Sequence, residues 1–267
     1  MDLGISGKVA LVTGGSKGIG HEASKLFGKA GARVVVVARE KKAIDETVDA
    51  IRDAGGEAAG FSADLTEVEN YARAVEFARE TFGAPEIAVF NIQAPKPGSF
   101  AALDDDDFRH AFHLVTICYA NMVRAVLPGM IEKRFGRVVT LGSGTAKQPI
   151  RTTELFSYVL ANSTRAGAVG LNKTLAGDYG KYGITFNTIA VGSVETDMAR
   201  AWLQARADEA GVTYQDMLDR FFENNPLRRA GQPIEVASLA VFLSSVPGGY
   251  TTGETILADG GEVQALL

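Results

Sequence analysis

Glycines 14, 18 and 20 restrict the possible folds of this chain more than any other feature. They lie in Thr13-Gly14-Gly15-Ser16-Lys17-Gly18-Ile19-Gly20, which follows the short apolar run Val9–Thr13 and opens a segment of helical period. A glycine at 14 lets the chain turn tightly out of a strand, and one at 18 lets the backbone approach a phosphate closely. Glycine at 20 lets the new helix pack close to the sheet. The free N–H groups of the helix start, aligned with the helix dipole, then favour a pyrophosphate. A Gly-rich turn alone is common; its strand–turn–helix setting makes this one a nucleotide cradle. Gly14, Ser16, Lys17, Gly18, Ile19 and Gly20 are therefore the first candidate cofactor-binding residues.

The rest of the chain supplies the sheet that such a cradle needs. Short apolar runs alternate with longer helical segments, the pattern of a parallel sheet covered by helices. Strands are expected at Val9–Thr13, Arg33–Ala38, Ala58–Ser62, Ile87–Phe90, Arg137–Leu141, Thr185–Ala190 and Thr255–Ala258. Helices are expected near 18–30, 41–54, 67–82, 105–133, 155–181, 197–222 and 233–245. Val34–Val37 is β-branched throughout, as a strand buried on both faces requires. No repeat, low-complexity linker or composition break divides residues 1–267, so a single domain is expected. The fold class is α/β: a Rossmann-type doubly wound parallel sheet of about seven strands in three αβα layers.

Composition narrows the function classes. A chain 46% hydrophobic and 22% charged is expected to bury a sizeable core. The net charge of −5, with no run of Lys or Arg, leaves no basic footprint for nucleic acid. The single cysteine, Cys118, forms no intrachain disulfide, which fits a reducing compartment. The first residues lack the charged start and long apolar stretch of a signal peptide. No apolar run approaches the roughly 20 residues that span a bilayer. A soluble, cytoplasmic protein with no membrane partner is expected. Asp104–Asp107 precedes a long helix and reads as its cap and dipole complement, since four consecutive carboxylates cannot converge on one ion. His21, His110 and His113 show no ligand spacing, so no metal site is expected.

Further motifs occur in order over roughly residues 5 to 261. They are Ala63-Asp64-Leu65, Gly183-Ile184-Thr185-Phe186-Asn187, Val194-Glu195-Thr196, Pro226-Leu227-Arg228-Arg229-Ala230-Gly231-Gln232-Pro233 and Thr252-Gly253…Asp259-Gly260-Gly261. With Thr13 and the Gly-x-x-x-Gly-Ile-Gly spacing, the chain resembles the short-chain dehydrogenase/reductase family, and within it the 3-oxoacyl-acyl-carrier-protein reductases. The resemblance implies that Asp64 and Leu65 contact adenine, that Asn91 lies on the cofactor side, and that Val194 and Thr196 belong to the segment holding the nicotinamide carboxamide. It also implies a homotetramer or homodimer paired through the helices near 105–133 and 155–181 and the C-terminal segment. The apolar end Val263–Leu267 would otherwise meet water.

The cofactor type follows from charge. Specificity for NAD calls for a carboxylate after the second strand to accept from the ribose hydroxyls. Here that position is Ala38, followed by Arg39, with Lys17 in the Gly loop. Two cations and no acid suit the 2′-phosphate of NADP(H).

The reaction centre departs from the family, which interconverts carbonyls and alcohols with a Ser, a helix Asn and a Tyr-x-x-x-Lys motif. Ser143 matches the serine and is expected to hydrogen-bond a carbonyl oxygen, against the alternative of a local turn bond. None of the seven tyrosines has a lysine four residues on. Registering the helix on Gly167 and Leu171–Ala176 places Ala161 at the tyrosine position and Arg165 at the lysine position, while the helix Asn falls at Val115. The family's Asn-Asn-Ala-Gly becomes Phe90-Asn91-Ile92-Gln93, and the loop before Tyr158 is about five residues longer than the family's. Arg165 can hold ribose hydroxyls and supply a positive field, but is no proton donor near neutral pH. Tyr158, three residues before Ala161 and seven before Arg165, is the nearest replacement phenol, or else an aromatic packed at a helix start. Lys96 and Lys147 follow strands and read as surface cations. Trp202, Leu203, Phe221 and Phe222 form either an apolar substrate wall or ordinary packing. Three functions remain in view: an NADP(H)-dependent oxidoreductase acting on a small ketone or secondary alcohol, an isomerase, dehydratase or cyclase on the same fold, and an inactive nucleotide-binding protein.

Overall fold

The computed structural model describes residues 2–91, 94–151 and 157–266. Ile92, Gln93, the expected helical positions 155 and 156, and Leu267 lie outside the described residues. The apolar runs become strands β1 (Val9–Thr13), β2 (Arg33–Ala38), β3 (Glu57–Ser62), β4 (Ile87–Asn91), β5 (Gly136–Leu141), β6 (Ile184–Val191) and β7 (Thr255–Ala258). They pair in parallel in the order β3-β2-β1-β4-β5-β6-β7. Val12 lies opposite Val36 of β2 and Val89 of β4, and all three side chains are fully buried. The strand order reverses beside β1, so a crevice opens at the C-terminal ends of β1 and β4, where such sheets bind ligands.

Helices cover both faces. On one lie α1 (Gly18–Lys29), α2 (Lys41–Asp53) and α9 (Pro233–Leu243), packed through Ala23, Phe27, Ile44, Ile51, Val236 and Ala240. On the other lie α3 (Glu69–Thr81), α5 (Cys118–Lys133) and α6 (Val159–Tyr179), packed through Tyr71, Ala78, Tyr119, Met122, Val126 and Ala176. The expected three-layer doubly wound sheet is what the chain forms.

Three features differ from the sequence expectation. The run 105–133 is interrupted: α4 (Asp105–Phe112) passes through a π-helical turn, His113–Ile117, before α5. By length and apolarity Asp105–Lys133 would also qualify to cross a membrane, although no apolar run suggested it; its Tyr119, Met122 and Met130 are buried in the core. The expected helix 197–222 is two helices, α7 (Asp197–Ala210) and α8 (Tyr214–Phe221). Gly211 ends α7 at φ +64°, and Thr213 caps α8 through the N–H of Asp216. Asp104 caps α4 by accepting from the Asp107 N–H at 2.9 Å, with the Asp107 carboxylate returning to the Asp104 N–H. Lys96 pairs with Asp107 at 2.9 Å, as a surface cation would.

Candidate active site

The cradle is built by close contacts that only glycine permits. Gly14 and Gly18 take φ of +57° and +54°. A Cβ on Gly20 would fall 2.0 Å from the Gly14 carbonyl oxygen, so this glycine lets the turn fold against its own helix. Thr13 fastens β1 to β4 by accepting from the Asn91 N–H at 2.9 Å and donating to the Val89 carbonyl at 3.1 Å. The Asn91 side-chain amide donates to the Gly14 carbonyl at 3.3 Å, placing Asn91 against the turn. At the N-cap of α1, Lys17 is extended and provides no side-chain cap, and the first turn holds no acid. A helix start left with open N–H donors and no negative charge fits a phosphate group.

Thr196 closes the other wall of the crevice. Its methyl lies 3.1 Å from where a Gly18 Cβ would stand, and its hydroxyl caps α7 by accepting from the Ala199 N–H at 3.2 Å. Val194 is held by pairing with Gly231, whose carbonyl accepts from the Glu195 N–H at 2.8 Å. An open groove of ≈380 Å³ runs from Gly18 past His21 and Thr196 to Pro233. Burial lowers the His21 pKa, with Lys25 adding to the shift, so its imidazole is neutral there.

Beyond β2 and β3 the charges are arranged differently from the sequence reading. Lys17 does not stand free: its ammonium pairs with the Glu40 carboxylate, one residue beyond Arg39. An acid is thus present beside the two cations, and the bond from Lys17 holds its pKa below the usual carboxylate range. Asp64 is exposed, and its carboxylate accepts from the Thr66 N–H at 2.9 Å, which lowers its pKa; Arg39 contributes a smaller attraction. Leu65 is half-buried against the core.

The reaction end lies at the C-terminal ends of β4, β5 and β6. Phe90, Val115, Thr140, Ser143, Arg165 and Thr188 are among the residues lining a cavity with ≈10 Å³ of room, about one water-sized group. Ser143 and Arg165 are therefore brought together, with Val115 where the family's asparagine was registered. The Ser143 oxygen also accepts from the Thr145 N–H at 3.3 Å, the local turn bond weighed above. Arg165 is 8% exposed, and its Nε is buried without a hydrogen-bond partner. Burial alone pushes its pKa down to about 10. Tyr158 is not among the residues lining this cavity. It precedes α6, pairs with Gly98 across a parallel bridge, and has its pKa raised by burial and then by Glu262. Its surroundings thus keep the phenol protonated.

Behind the cavity runs a buried polar chain that sequence reasoning passed over. The Tyr119 hydroxyl donates to the Asn172 carbonyl oxygen, and the Asn172 amide donates to Thr188 Oγ1 at 3.0 Å. Asn172, a polar residue on the core face of α6, was the available signal. Trp202, Leu203, Phe221 and Phe222 gather with Tyr214 and Leu218 around an apolar cavity of ≈100 Å³ between α7 and α8. Among the described residues no group of His, Cys, Asp or Glu is placed to hold a metal ion.

Comparison with known proteins places this geometry. The enoyl-(acyl carrier protein) reductase family profile matches residues 14–262. The 3-oxoacyl-(acyl-carrier-protein) reductase FabG of Vibrio harveyi is 32% identical over 97% of this chain and 98% of its own length. The L-sorbose reductase of Gluconobacter frateurii, solved with NADPH and L-sorbose, superposes with a TM-score of 0.94 at 29% identity, covering 100% of both chains. An NADPH-bound short chain oxidoreductase of Pseudomonas aeruginosa PAO1, described as containing an atypical catalytic center, superposes at 0.88 with 30% identity, covering 98% of this chain and 99% of that one.

Proposed function

The chain belongs to the short-chain dehydrogenase/reductase family, and from that premise we propose that it is an NADP(H)-dependent oxidoreductase interconverting a ketone and a secondary alcohol through an altered acid–base group. The observation that carries this reading is the placing of a glycine-built, acid-free helix start after β1 and of a cavity lined by Ser143 and Arg165 at the same, C-terminal, edge of the sheet. The dinucleotide supplies a hydride, and a proton must reach the substrate oxygen separately. Lys17 and Arg39 attract a 2′-phosphate, and the open N–H groups of α1 accept the pyrophosphate. Ser143 donates to the substrate oxygen, and Arg165 favours the negative charge that develops there. Tyr158, kept as a neutral phenol, is the proposed proton donor. The two helices α7 and α8 carry the apolar wall for the substrate. The same reading makes the protein a soluble, cytoplasmic homodimer or homotetramer, which light scattering at micromolar concentration tests.

Calorimetric titration with NADPH and NADH, followed by a panel of ketones and secondary alcohols, tests the activity. Tighter NADPH binding with nucleotide oxidation by a ketone is expected. Equal affinities would remove the charge argument. The absence of Tyr158 from the lining of the Ser143–Arg165 cavity favours one second reading: a redox-neutral isomerisation, dehydration (with loss of water) or cyclisation that needs no phenol. Product mass measured alongside nucleotide absorbance separates the two.

A further inference from the structure

Two threonines face each other across the sheet behind Ser143. Thr140 on β5 and Thr188 on β6 are register partners, both buried, and both line the cavity that Ser143 shares. The Thr188 methyl packs so closely on Gly142 that a Cβ there would fall 2.8 Å from it, which fixes Thr188 beside the residue preceding Ser143. Thr188 Oγ1 accepts from the Asn172 amide at 3.0 Å, and the Asn172 carbonyl oxygen accepts from the Tyr119 hydroxyl. Thr188 therefore still has its own hydrogen to give, and among the described residues no protein group takes it. Thr140 Oγ1 lies beside the Tyr119 hydroxyl but is buried without a hydrogen-bond partner. Ser143 Oγ accepts from the Thr145 N–H at 3.3 Å and likewise gives its hydrogen to no described group. Buried hydroxyls in this condition are costly. The room between them is ≈10 Å³, about the least that holds a water, and a buried water needs roughly two to four polar partners.

We propose that this cavity is the site of one ordered water, and that Thr188 and Thr140 act through it as positioning residues for Ser143. This rests on the reading of Ser143 as the donor to the substrate oxygen. A water both accepts and donates, so it can take the Thr188 hydrogen and give its own two to Thr140 and Ser143. An apolar group of the same size would leave all three hydroxyls unanswered. With the Thr145 N–H and the water both directed at it, Ser143 Oγ has its two lone pairs engaged, and its hydrogen turns toward the crevice. Every link then donates forward: the Tyr119 phenol to Asn172, Asn172 to Thr188, Thr188 to the water, and the water to Ser143. Hydrogen bonds aligned in this way polarise one another, which strengthens the last donor in the chain. No covalent bond changes along it; the chain orients Ser143 and supplies no proton to the reaction.

A high-resolution crystal structure of the NADP⁺ complex tests the site directly. A water oxygen is expected within about 2.6–3.2 Å of Thr140 Oγ1, Ser143 Oγ and Thr188 Oγ1. Thr188→Val keeps the shape of the side chain but removes the hydroxyl, and should lose the water; Thr188→Ser should keep it. Turnover is then followed with the panel ketone that the protein reduces fastest. Thr188→Val should lower kcat about 10-fold, less than removal of the Ser143 donor itself, with KM and NADPH affinity within about twofold of their original values. Thr188→Ser should restore most of kcat, which repacking alone would not do. Should Thr188→Val fail to fold because Asn172 loses its acceptor, Thr140→Val carries the same test and leaves that bond in place. A cavity without water in the unaltered protein overturns the proposal, as does a water that stays in Thr188→Val or a kcat that its loss does not change. A dry cavity in a protein that oxidises NADPH with a ketone sinks the water and leaves the oxidoreductase reading intact. A water in place, with no nucleotide oxidised by any ketone, supports the site and removes the hydride-transfer reading.

Discussion

Two arginines are buried among the described residues, and they are treated in opposite ways. Arg137, on β5, is 6% exposed, and Arg165, on α6, is 8% exposed. Arg137 donates to the carbonyls of Ser245 at 3.1 Å, Gly136 at 2.9 Å and Gly183 at 3.1 Å, and its guanidinium lies 4.2 Å from the Phe135 ring centre. It ties the end of α9 to the loop before β6, far along the strands from the crevice. Arg165 faces the crevice and has a buried donor with no partner. Burial lowers both pKa values, so the difference between them lies in hydrogen bonding and not in solvent exclusion. A buried cation with its donors used is architecture; one with a donor unused, lining the cavity beside Ser143, is the one proposed to act on a ligand.

The sharpest test of that contrast is Arg137→Met. Removing three carbonyl partners at once should destabilise the protein by about 3 kcal/mol and lower its melting temperature by roughly 6–12 °C. Nucleotide affinity, measured by calorimetry, should not change. A melting temperature equal to that of the unaltered protein would erase the distinction. Next in size is the effect on chemistry. Ser143→Ala removes a donor at the reacting oxygen, and Tyr158→Phe removes the proposed proton, so each should lower turnover by at least about 100-fold. NADPH affinity should be retained in both. Unchanged turnover in Tyr158→Phe assigns the proton to another source, and unchanged turnover in both moves the chemistry away from this cavity.

Arg165→Met should act in the opposite direction on stability. The folded-state pKa of about 10 lies below the ordinary 12.5, so folding disfavours the charged form. That penalty is complete below the folded pKa and is relieved as pH rises through it towards the unfolded value. Near neutral pH the variant should therefore be more stable by about 1–3 kcal/mol, with the gain shrinking above pH 10. Urea unfolding at the two pH values reads both the sign and the trend. A destabilised variant at neutral pH would make Arg165 architectural, like Arg137.

Much of this fold is legible in the sequence, and the exceptions have physical reasons. The strands were legible because β-branched runs such as Val34–Val37 satisfy only a strand buried on both faces. The cradle was legible because glycine is required by backbone contacts local in sequence, as the 2.0 Å approach at Gly20 shows. Arg165 and Ser143 could be placed together because each is pinned by an element of known register. Tyr158 is different. Helical spacing put it near the face of Arg165, but it stands as the N-cap of α6, bridged to Gly98, where the periodicity no longer applies. The π-helical turn at His113–Ile117 interrupts a run whose residues carry no helix-breaking signal. Likewise the Lys17–Glu40 pair joins two loops 23 residues apart, which a search for an acid at one position after β2 does not see.

That pair is the third way this protein treats a cation. Lys17 is exposed and partnered, so neither burial nor an open donor marks it; its ammonium is shared with Glu40 in the place where a 2′-phosphate would compete for it. Glu40 and the phosphate carry the same sign, and only one can hold Lys17 at a time. The carboxylate also opposes the phosphate through space, at a surface where salt weakens both effects. Glu40→Gln should therefore tighten NADPH binding by about threefold at low salt, because an exposed pair is weak to begin with. The gain should fade as ionic strength rises. NADH, which has no 2′-phosphate, should gain nothing, and should lose slightly if Glu40 accepts from its ribose hydroxyls. Calorimetric titration of both nucleotides into the variant at two salt concentrations measures these terms. Equal tightening of NADPH and NADH would mean that Glu40 acts on the phosphates common to both, and would return the selectivity to Arg39 alone.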